Sequence, residues 1–136
     1  MTEIRLANSK FTKINGEINT KFNGKIELNT NIKIKNIETI KEAKEIIKIE
    51  YIFDINYSDL GKISIEGLLF LSLNPKKIKE LLKSQEEKQF NTPEHIFITN
   101  LIIQKASIKA FEIEEELGLP IHIKLPTVNI QEKSNN

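Results

Sequence analysis

The chain has 136 residues, no cysteine, and 20 basic side chains against 19 acidic ones. This length predicts one domain spanning residues 1–136. The lack of cysteine excludes disulfides, zinc thiolates and a cysteine nucleophile, and fits a cytoplasmic location. Balanced charge argues against nucleic acid or an anionic membrane as partner.

The N-terminal residues lack the apolar stretch of a secretory signal. No apolar run approaches the ~20 residues that span a bilayer. Arg5 is the only arginine. Because arginine makes the commonest contacts to bases, this further weakens the case for nucleic-acid binding. We therefore expect neither membrane nor nucleic-acid binding.

Two segments in the first third of the chain predict β-strands. Residues 25–35 alternate, with Ile26, Leu28, Ile32 and Ile34 on one face. In residues 3–18 the apolar residues do not keep to one face of a strand, because their positions change between even and odd numbers midway. This change predicts a β-bulge. The Asn-Gly pairs at residues 15–16 and 23–24 predict turns. Residues 39–45 are predicted to connect the second strand to the third.

The clearest pattern is the apolar alternation at odd positions from Ile47 to Tyr57 and again from Ile63 to Leu73. It predicts two half-buried strands joined by the turn "SDLG". Both apolar sets share a face when paired residue numbers sum to an even number, so Tyr57 should face Gly61 or Ile63. With the earlier segments, the sequence predicts a four-stranded antiparallel meander.

The second half of the chain predicts two helices. Asn74-Pro75 and Thr92-Pro93 each place an N-cap before a proline suited to the first helical position. The second helix meets no break before Gly118 and is therefore about 25 residues long. The fold class is α+β, with the meander sheet covered by a long C-terminal helix.

The long helix is apolar over a wider arc than one sheet requires. One face contains Ile96, Ile103, Ala106, Ala110, Ile113 and Leu117, and Phe97, Leu101, Ile108 and Phe111 widen it. Two interpretations stay open: a fully buried helix in a monomer, or a helix that covers its own sheet and also meets another subunit. We favour the second.

The sequence contains no catalytic or metal-binding signature. His95 and His122 have no carboxylate at ligand spacing, and both are predicted to face solvent. The glutamates at 112, 114, 115 and 116 are interpreted as a solvated face, with an acidic contact for a basic partner as the alternative. Glycine-rich phosphate loops and nucleophile elbows are missing from the sequence. We expect a protein without enzymatic activity, metal or cofactor.

The C-terminal stretch "ELGLPIHIKLPTVNI" is predicted to be extended, with an apolar run that has a proline at each end. Together with the strands and the long helix, it resembles the SecB family of export chaperones. The resemblance covers residues 3–130 and is carried by "TPEHIFITNLIIQKASIKAFEIEEELGLPIHIKLPTVNI". Within it, Gly118, Pro120 and Pro126 match the family pattern, as do Leu125, Val128 and Asn129. The family continues into a second helix, for which the residues after Ile130 are too few.

The resemblance implies an ATP-independent holdase in the cytoplasm. Its clients would be unfolded polypeptides, and a SecA-type translocase motor or an antitoxin would be a further partner. It also implies a homotetramer built as a dimer of dimers. Subunit contacts are predicted at five residues of the long helix: Ile98, Leu101, Ile102, Lys105 and Ile108.

Client binding is predicted at apolar residues that break the expected pattern. Three lie on the otherwise polar sheet face: Ile52, Leu68 and Phe70. The others lie on the final extended segment: Leu119, Ile121, Ile123, Leu125 and Val128. The alternative function is a module that binds a small apolar ligand between helix and sheet. Residues 131–136 are expected to be disordered.

Overall fold

A computed structural model describes residues 4–122 of the chain. Four strands precede two helices: β1 (Arg5–Ile18), β2 (Leu28–Ile40), β3 (Ala43–Tyr57), β4 (Gly61–Ser72), α1 (Pro75–Glu86) and α2 (Pro93–Leu117). All strand pairs are antiparallel. The predicted α+β class, with a four-stranded antiparallel sheet followed by a long helix, is confirmed.

The strand order differs from the predicted simple meander. Strands β2, β3 and β4 are consecutive neighbours, but β1 pairs with β4, which gives the order β1-β4-β3-β2. Residues 19–27 join β1 to β2 across the end of the sheet. Crossing three strand spacings of ~4.8 Å is well within the reach of that segment. The sheet therefore has β1 and β2 as its two edges.

Local features of the strands test the turn and bulge predictions. Register shifts between Leu6 and Asn8 and between Phe11 and Lys13 confirm that β1 is bulged. The turn predicted at residues 15–16 is wrong, because Gly16 lies within β1 opposite Ile63. The connector predicted over residues 39–45 is too long. Strands β2 and β3 extend into that range, and only a turn at residues 41–42 separates them.

The core lies between one face of the sheet and the helices. The odd-numbered apolar residues of β3 and β4 are buried, as the alternation predicts. The register pairs Ile55 with Ile63 and Asn56 with Lys62, which agrees with the predicted parity. Gly67 lies opposite Tyr51, and a Cβ at Gly67 would lie 2.4 Å from the Tyr51 hydroxyl oxygen. Only glycine leaves room there for the tyrosine ring.

Both helices begin where the capping residues predict, and α2 also ends where Gly118 predicts. The side chains of Asn74 and Thr92 accept hydrogen bonds from the backbone N–H groups of Lys77 and His95, respectively. Helix α2 has 25 residues and ends at Gly118, whose φ of 75° is left-handed. The predicted boundaries of α2 are therefore confirmed.

The buried face of α2 is rotated from the predicted one. Ile96 and Ile103 are 52% and 38% exposed, whereas Ile98 and Ile102 are completely buried. Because the helix carries apolar residues around most of its circumference, its sequence does not indicate which stripe of residues faces the sheet. The residues that are buried against the sheet repeat every four positions: Ile98, Ile102, Ala106, Ala110 and Glu114.

Candidate functional site: the two flanks of helix α2

Helix α2 crosses the sheet obliquely and leaves apolar surface on both flanks. Near its start, His95 and Thr99 border a hollow whose floor belongs to β2. Near its end, Ile113 and Leu117 pack over β1 at Gly16, where a Cβ would lie 2.8 Å from the Ile113 Cγ2 atom. The helix thus runs from one sheet edge to the other. Among residues 4–122, a hollow lies on each side of it.

The hollow on the β1 side has a volume of about 320 Å³. Its apolar lining comes from Phe11, Tyr51 and Ile108, and Ile108 is 64% exposed. Burial raises the pKa of Tyr51 to about 12, so this side chain stays a neutral phenol. Lys105 lies on the rim. We call this depression the β1 hollow.

The hollow on the β2 side has a volume of about 370 Å³. Its apolar lining comes from Ile32 and Ile34 of β2 and from Phe90, which is 54% exposed in the connection between the helices. His95 and Thr99 form the helix wall. We call this depression the β2 hollow. Each hollow is large enough for one or two side chains of a polypeptide.

His95 fixes the connection between α1 and α2, which contains Phe90. Its Nε2 lies 2.9 Å from Gln85 Oε1 and its Nδ1 lies 2.9 Å from Thr92 Oγ1. The Gln85 oxygen can only accept, so Nε2 carries the hydrogen and Nδ1 accepts from the hydroxyl. Phe90 packs edge-on against the imidazole at 5.4 Å. Burial lowers the pKa of His95, partly opposed by Glu94. The prediction that His95 faces solvent is wrong.

Three residues predicted for client binding lie on the opposite face of the sheet. Ile52, Leu68 and Phe70 are half-buried there. In register they face Glu66, Glu50 and Lys48, respectively. The Lys10 ammonium lies 5.9 Å from the centroid of the Phe70 ring. The structure brings the three together on one face, but the sheet separates them from both hollows.

The other predicted client-binding residues follow helix α2. Leu119 is 5% exposed and belongs to the core, so it offers no surface to a client. Ile121 is 41% exposed. Ile123, Leu125 and Val128 lie outside the described residues.

The residues predicted for subunit contacts divide into two groups. Ile98 and Ile102 are completely buried against the protein's own sheet, which removes them from any surface. Leu101 and Lys105 are half-buried, and Ile108 is exposed. With Phe97, which is 37% exposed, Leu101 and Ile108 form an outer stripe at spacings of four and seven residues.

The sequence interpretation missed a buried polar cluster at the end of α2. Glu114 was assigned to a solvated face, yet it is completely buried. Its carboxylate accepts hydrogen bonds from the Tyr57 hydroxyl and from the backbone N–H of His122 at 3.0 Å. His122 Nδ1 lies 2.9 Å from both carboxylate oxygens. Glu114 continues a row of residues that starts at Ile98 and repeats every four positions. That repeat is the sequence signal that could have predicted a buried carboxylate here.

The cluster also corrects the prediction for His122. Its side chain is 3% exposed rather than solvated, and its ring packs edge-on against Phe53 at 5.9 Å. Burial, and then the hydrogen bond to Glu114, raise the pKa of Tyr57 well above its ordinary value. Tyr57 is therefore a hydrogen-bond donor to the carboxylate at any ordinary pH.

Within residues 4–122, no group of three or more histidine, cysteine, aspartate or glutamate side chains could hold a metal ion. Over the same residues, no helix is both long and apolar enough to cross a membrane. Besides apolar side chains, lysines line both hollows, Glu112 lines the β1 hollow, and His95 lines the β2 hollow.

Comparisons with known proteins identify the fold. No family model and no curated protein matches the sequence. The structure resembles the SecB-like chaperone Rv1957 of Mycobacterium tuberculosis, solved in complex with a ChAD peptide from the antitoxin HigA1 (Rv1956). The TM-score is 0.54 and the identity 7%, over 93% of this chain and 91% of that chain. The fold of this protein is therefore SecB-like.

A second solved structure, a protein of unknown function from Streptococcus agalactiae, matches with a TM-score of 0.45 and 11% identity. That match covers 93% of this chain and 99% of that chain.

Proposed function

We propose that this protein is an ATP-independent holdase that binds apolar segments of non-native polypeptides in the cytoplasm. The observation that carries the proposal is the pair of apolar hollows flanking α2, each bordered by an exposed apolar residue, Phe90 or Ile108. Exposed apolar surface of this kind is typical of binding sites. The SecB-like fold supports a chaperone role.

The hollows suit an extended client better than a folded one. Residues of an extended chain that point to the same side are about 6.6 Å apart. Such a chain lying along β2 could place alternate apolar side chains over Ile32 and Ile34, beside Phe90. A weaker second surface in this proposal is the apolar set Ile52, Leu68 and Phe70 on the opposite face of the sheet, and the exposed Ile121 would be a separate contact on the helix side. Because those side chains alternate with charged residues, we expect them to contribute less.

The proposal includes self-association as a dimer of dimers. The exposed part of the predicted contact, Leu101, Lys105 and Ile108, would meet a second subunit along the outer stripe of α2. The edge strand β1 would pair with its copy, although its two bulges limit the regular pairing that such an edge offers. Light scattering that shows a monomer at micromolar concentration would contradict this part of the proposal.

The likeness to Rv1957, which is solved with an antitoxin peptide, supports an antitoxin segment as one kind of client. We propose an antitoxin segment or an export precursor as the client, with a SecA-type motor as partner in the second case. Pull-downs with each candidate, repeated with the Phe90→Ser variant, would distinguish the two roles.

The test of the main proposal is suppression of aggregation of a chemically denatured model client at stoichiometric ratio, without nucleotide. Phe90→Ser should weaken suppression, because Phe90 borders the β2 hollow and takes no part in the proposed subunit contact. The matched control is Ile26→Ser, because Ile26 is 38% exposed but lines neither hollow. A wild-type protein that leaves aggregation unchanged would refute the holdase function. A small apolar mass retained in native mass spectrometry would instead favour a ligand-binding module.

A further inference from the structure

The floor of the β1 hollow contains a buried hydroxyl group. Tyr51 of β3 is 1% exposed and lines the hollow. Its ring lies over Gly67 of β4, where a Cβ would meet both the Tyr51 hydroxyl oxygen and the carbonyl oxygen of Lys10 on β1. Gly67 also pairs with Phe11 of β1, a further lining residue. The absence of a side chain at Gly67 thus lets the tyrosine hydroxyl reach across β4 towards β1.

This hydroxyl has no partner in the described part of the chain. Among residues 4–122, no hydrogen bond reaches the Tyr51 oxygen. Over the same residues, the only completely enclosed side-chain polar atom without a partner is His122 Nε2, so the Tyr51 hydroxyl touches the open space of the hollow. Burial raises the pKa of Tyr51 to about 12, which keeps the group a proton donor. An occupant that brings an acceptor is favoured here, because an unpaired polar group in an apolar setting is costly.

The helix side of the same hollow is positively charged. Lys105 and Lys109 lie one turn apart on α2, a spacing at which like charges repel. Lys109 forms an ion pair with Glu112 at 2.7 Å, whereas the half-buried Lys105 has no acidic partner within the described residues. The ammonium of Lys10 adds no charge here, because it lies near the Phe70 ring on the opposite face of the sheet. Lys105 therefore gives the hollow a net positive charge.

The apolar lining and the two donors belong to one depression at a sheet edge. Phe11 is half-buried on β1, and Ile108 is 64% exposed on α2. Ser9 of β1 adds a half-buried hydroxyl. Because the hollow borders the edge strand, an extended chain bound in it can continue past it. The β2 hollow differs, since both ring nitrogens of its buried polar residue, His95, are already hydrogen-bonded.

We propose that the β1 hollow is an acid-selective part of the client site, which binds an apolar residue and an acidic residue two positions apart in an extended segment. Such side chains point to the same side, about 6.6 Å apart. The apolar one packs on Phe11 and Ile108, and the carboxylate accepts hydrogen bonds from the Tyr51 hydroxyl and the Lys105 ammonium. This inference rests on the proposed function, because the occupant is a client.

The test uses two unfolded, fluorescent peptides that are identical except for one residue. One contains the sequence Phe-Ser-Glu within an otherwise uncharged apolar segment, and the other contains Phe-Ser-Gln. Fluorescence anisotropy measures the affinity of the full-length protein for each. We expect wild type to bind the glutamate peptide about tenfold more tightly, which is usual for a hydrogen-bonded charge. This ratio should shrink as the salt concentration rises.

Two variants remove the donors one at a time. Tyr51→Phe deletes only the hydroxyl, and Lys105→Gln deletes the unpaired charge. Each should reduce the ratio to about threefold or less, with little change in affinity for the glutamine peptide. The control is Lys79→Gln, because Lys79 is an exposed lysine of α1 that lines neither hollow. Since Lys105 also belongs to the proposed subunit contact, light scattering compares the assembly state of every variant with wild type, and Tyr51→Phe decides the test if Lys105→Gln changes it.

Four results overturn the inference. Equal affinity of wild type for the two peptides refutes acid selection, and the holdase function still stands if aggregation is suppressed. A preference for glutamate that persists in both variants places the recognition elsewhere. A fatty acid retained by wild type and lost from Tyr51→Phe, without any glutamate preference, makes a free amphiphile the occupant. A wild type that binds neither peptide refutes the inference, and it refutes the proposed function as well only if it also leaves aggregation unchanged.

Discussion

Replacing Ile102 by alanine tests whether α2 owes its position to the stripe buried against the sheet. Ile102 is completely buried, and the change removes three carbon atoms. At ~0.8 kcal/mol per carbon, the lost transfer free energy is about 2.4 kcal/mol. The cavity left behind raises the cost to about 3–4 kcal/mol, within the range usual for such changes. The melting temperature should fall by roughly 10 °C.

The matched control is Ile108→Ala on the same helix, because Ile108 is 64% exposed. Both variants gain the same few tenths of a kcal/mol in helix propensity. At a protein concentration low enough to keep the chain monomeric, we therefore expect Ile108→Ala to have a free energy of unfolding within about 0.5 kcal/mol of wild type. Urea unfolding followed by circular dichroism, at several protein concentrations, measures both. Equal losses at the two positions would refute the assigned buried face.

Three further predictions concern single side chains. Gly67→Ala should cost about 1–3 kcal/mol, because its Cβ would meet the Tyr51 hydroxyl oxygen at 2.4 Å and the Lys10 carbonyl oxygen at 2.9 Å; a neutral result in urea unfolding would contradict this packing. Gly118→Ala should cost about 1 kcal/mol through its φ of 75° alone, since nothing lies within 4 Å of its Cβ, and Gly118→Asn should cost less. An alanine variant as stable as wild type would exclude the left-handed conformation. His95 has a lowered pKa in the folded state, so the unfolded chain takes up its proton first. Stability should therefore fall as pH drops below ~6.5, and His95→Asn should flatten this slope in urea titrations.

Much of the fold follows from local patterns in the sequence. The odd-numbered alternation in β3 and β4 predicts both strands and their relative register, because a half-buried strand repeats every two residues. The capping pairs Asn74-Pro75 and Thr92-Pro93 predict both helix starts, because they satisfy backbone donors locally. Gly118 predicts the end of α2 for a similarly local reason.

The candidate site was less predictable, because it depends on which surfaces meet. The wide apolar arc of α2 is compatible with several buried stripes, so Ile98 and Ile102 were assigned to a subunit contact rather than to the core. The hollows arise from the oblique crossing of α2, and their lining comes from β1, β2 and the connection that contains Phe90. The crossing angle between α2 and the sheet cannot be predicted from any one segment of the sequence.

Sequence alone determined the class of elements, most of their boundaries, the resemblance to the SecB family and the apolar character of the helix. Those properties depend on residue spacing and capping, which act over a few positions. Tertiary structure decided that β1 pairs with β4, which stripe of α2 is buried, and that Glu114 and His122 lie inside. These outcomes depend on contacts between residues far apart in the chain, such as Tyr57 and Glu114, whose burial becomes favourable only once the donors and the acceptor are brought together.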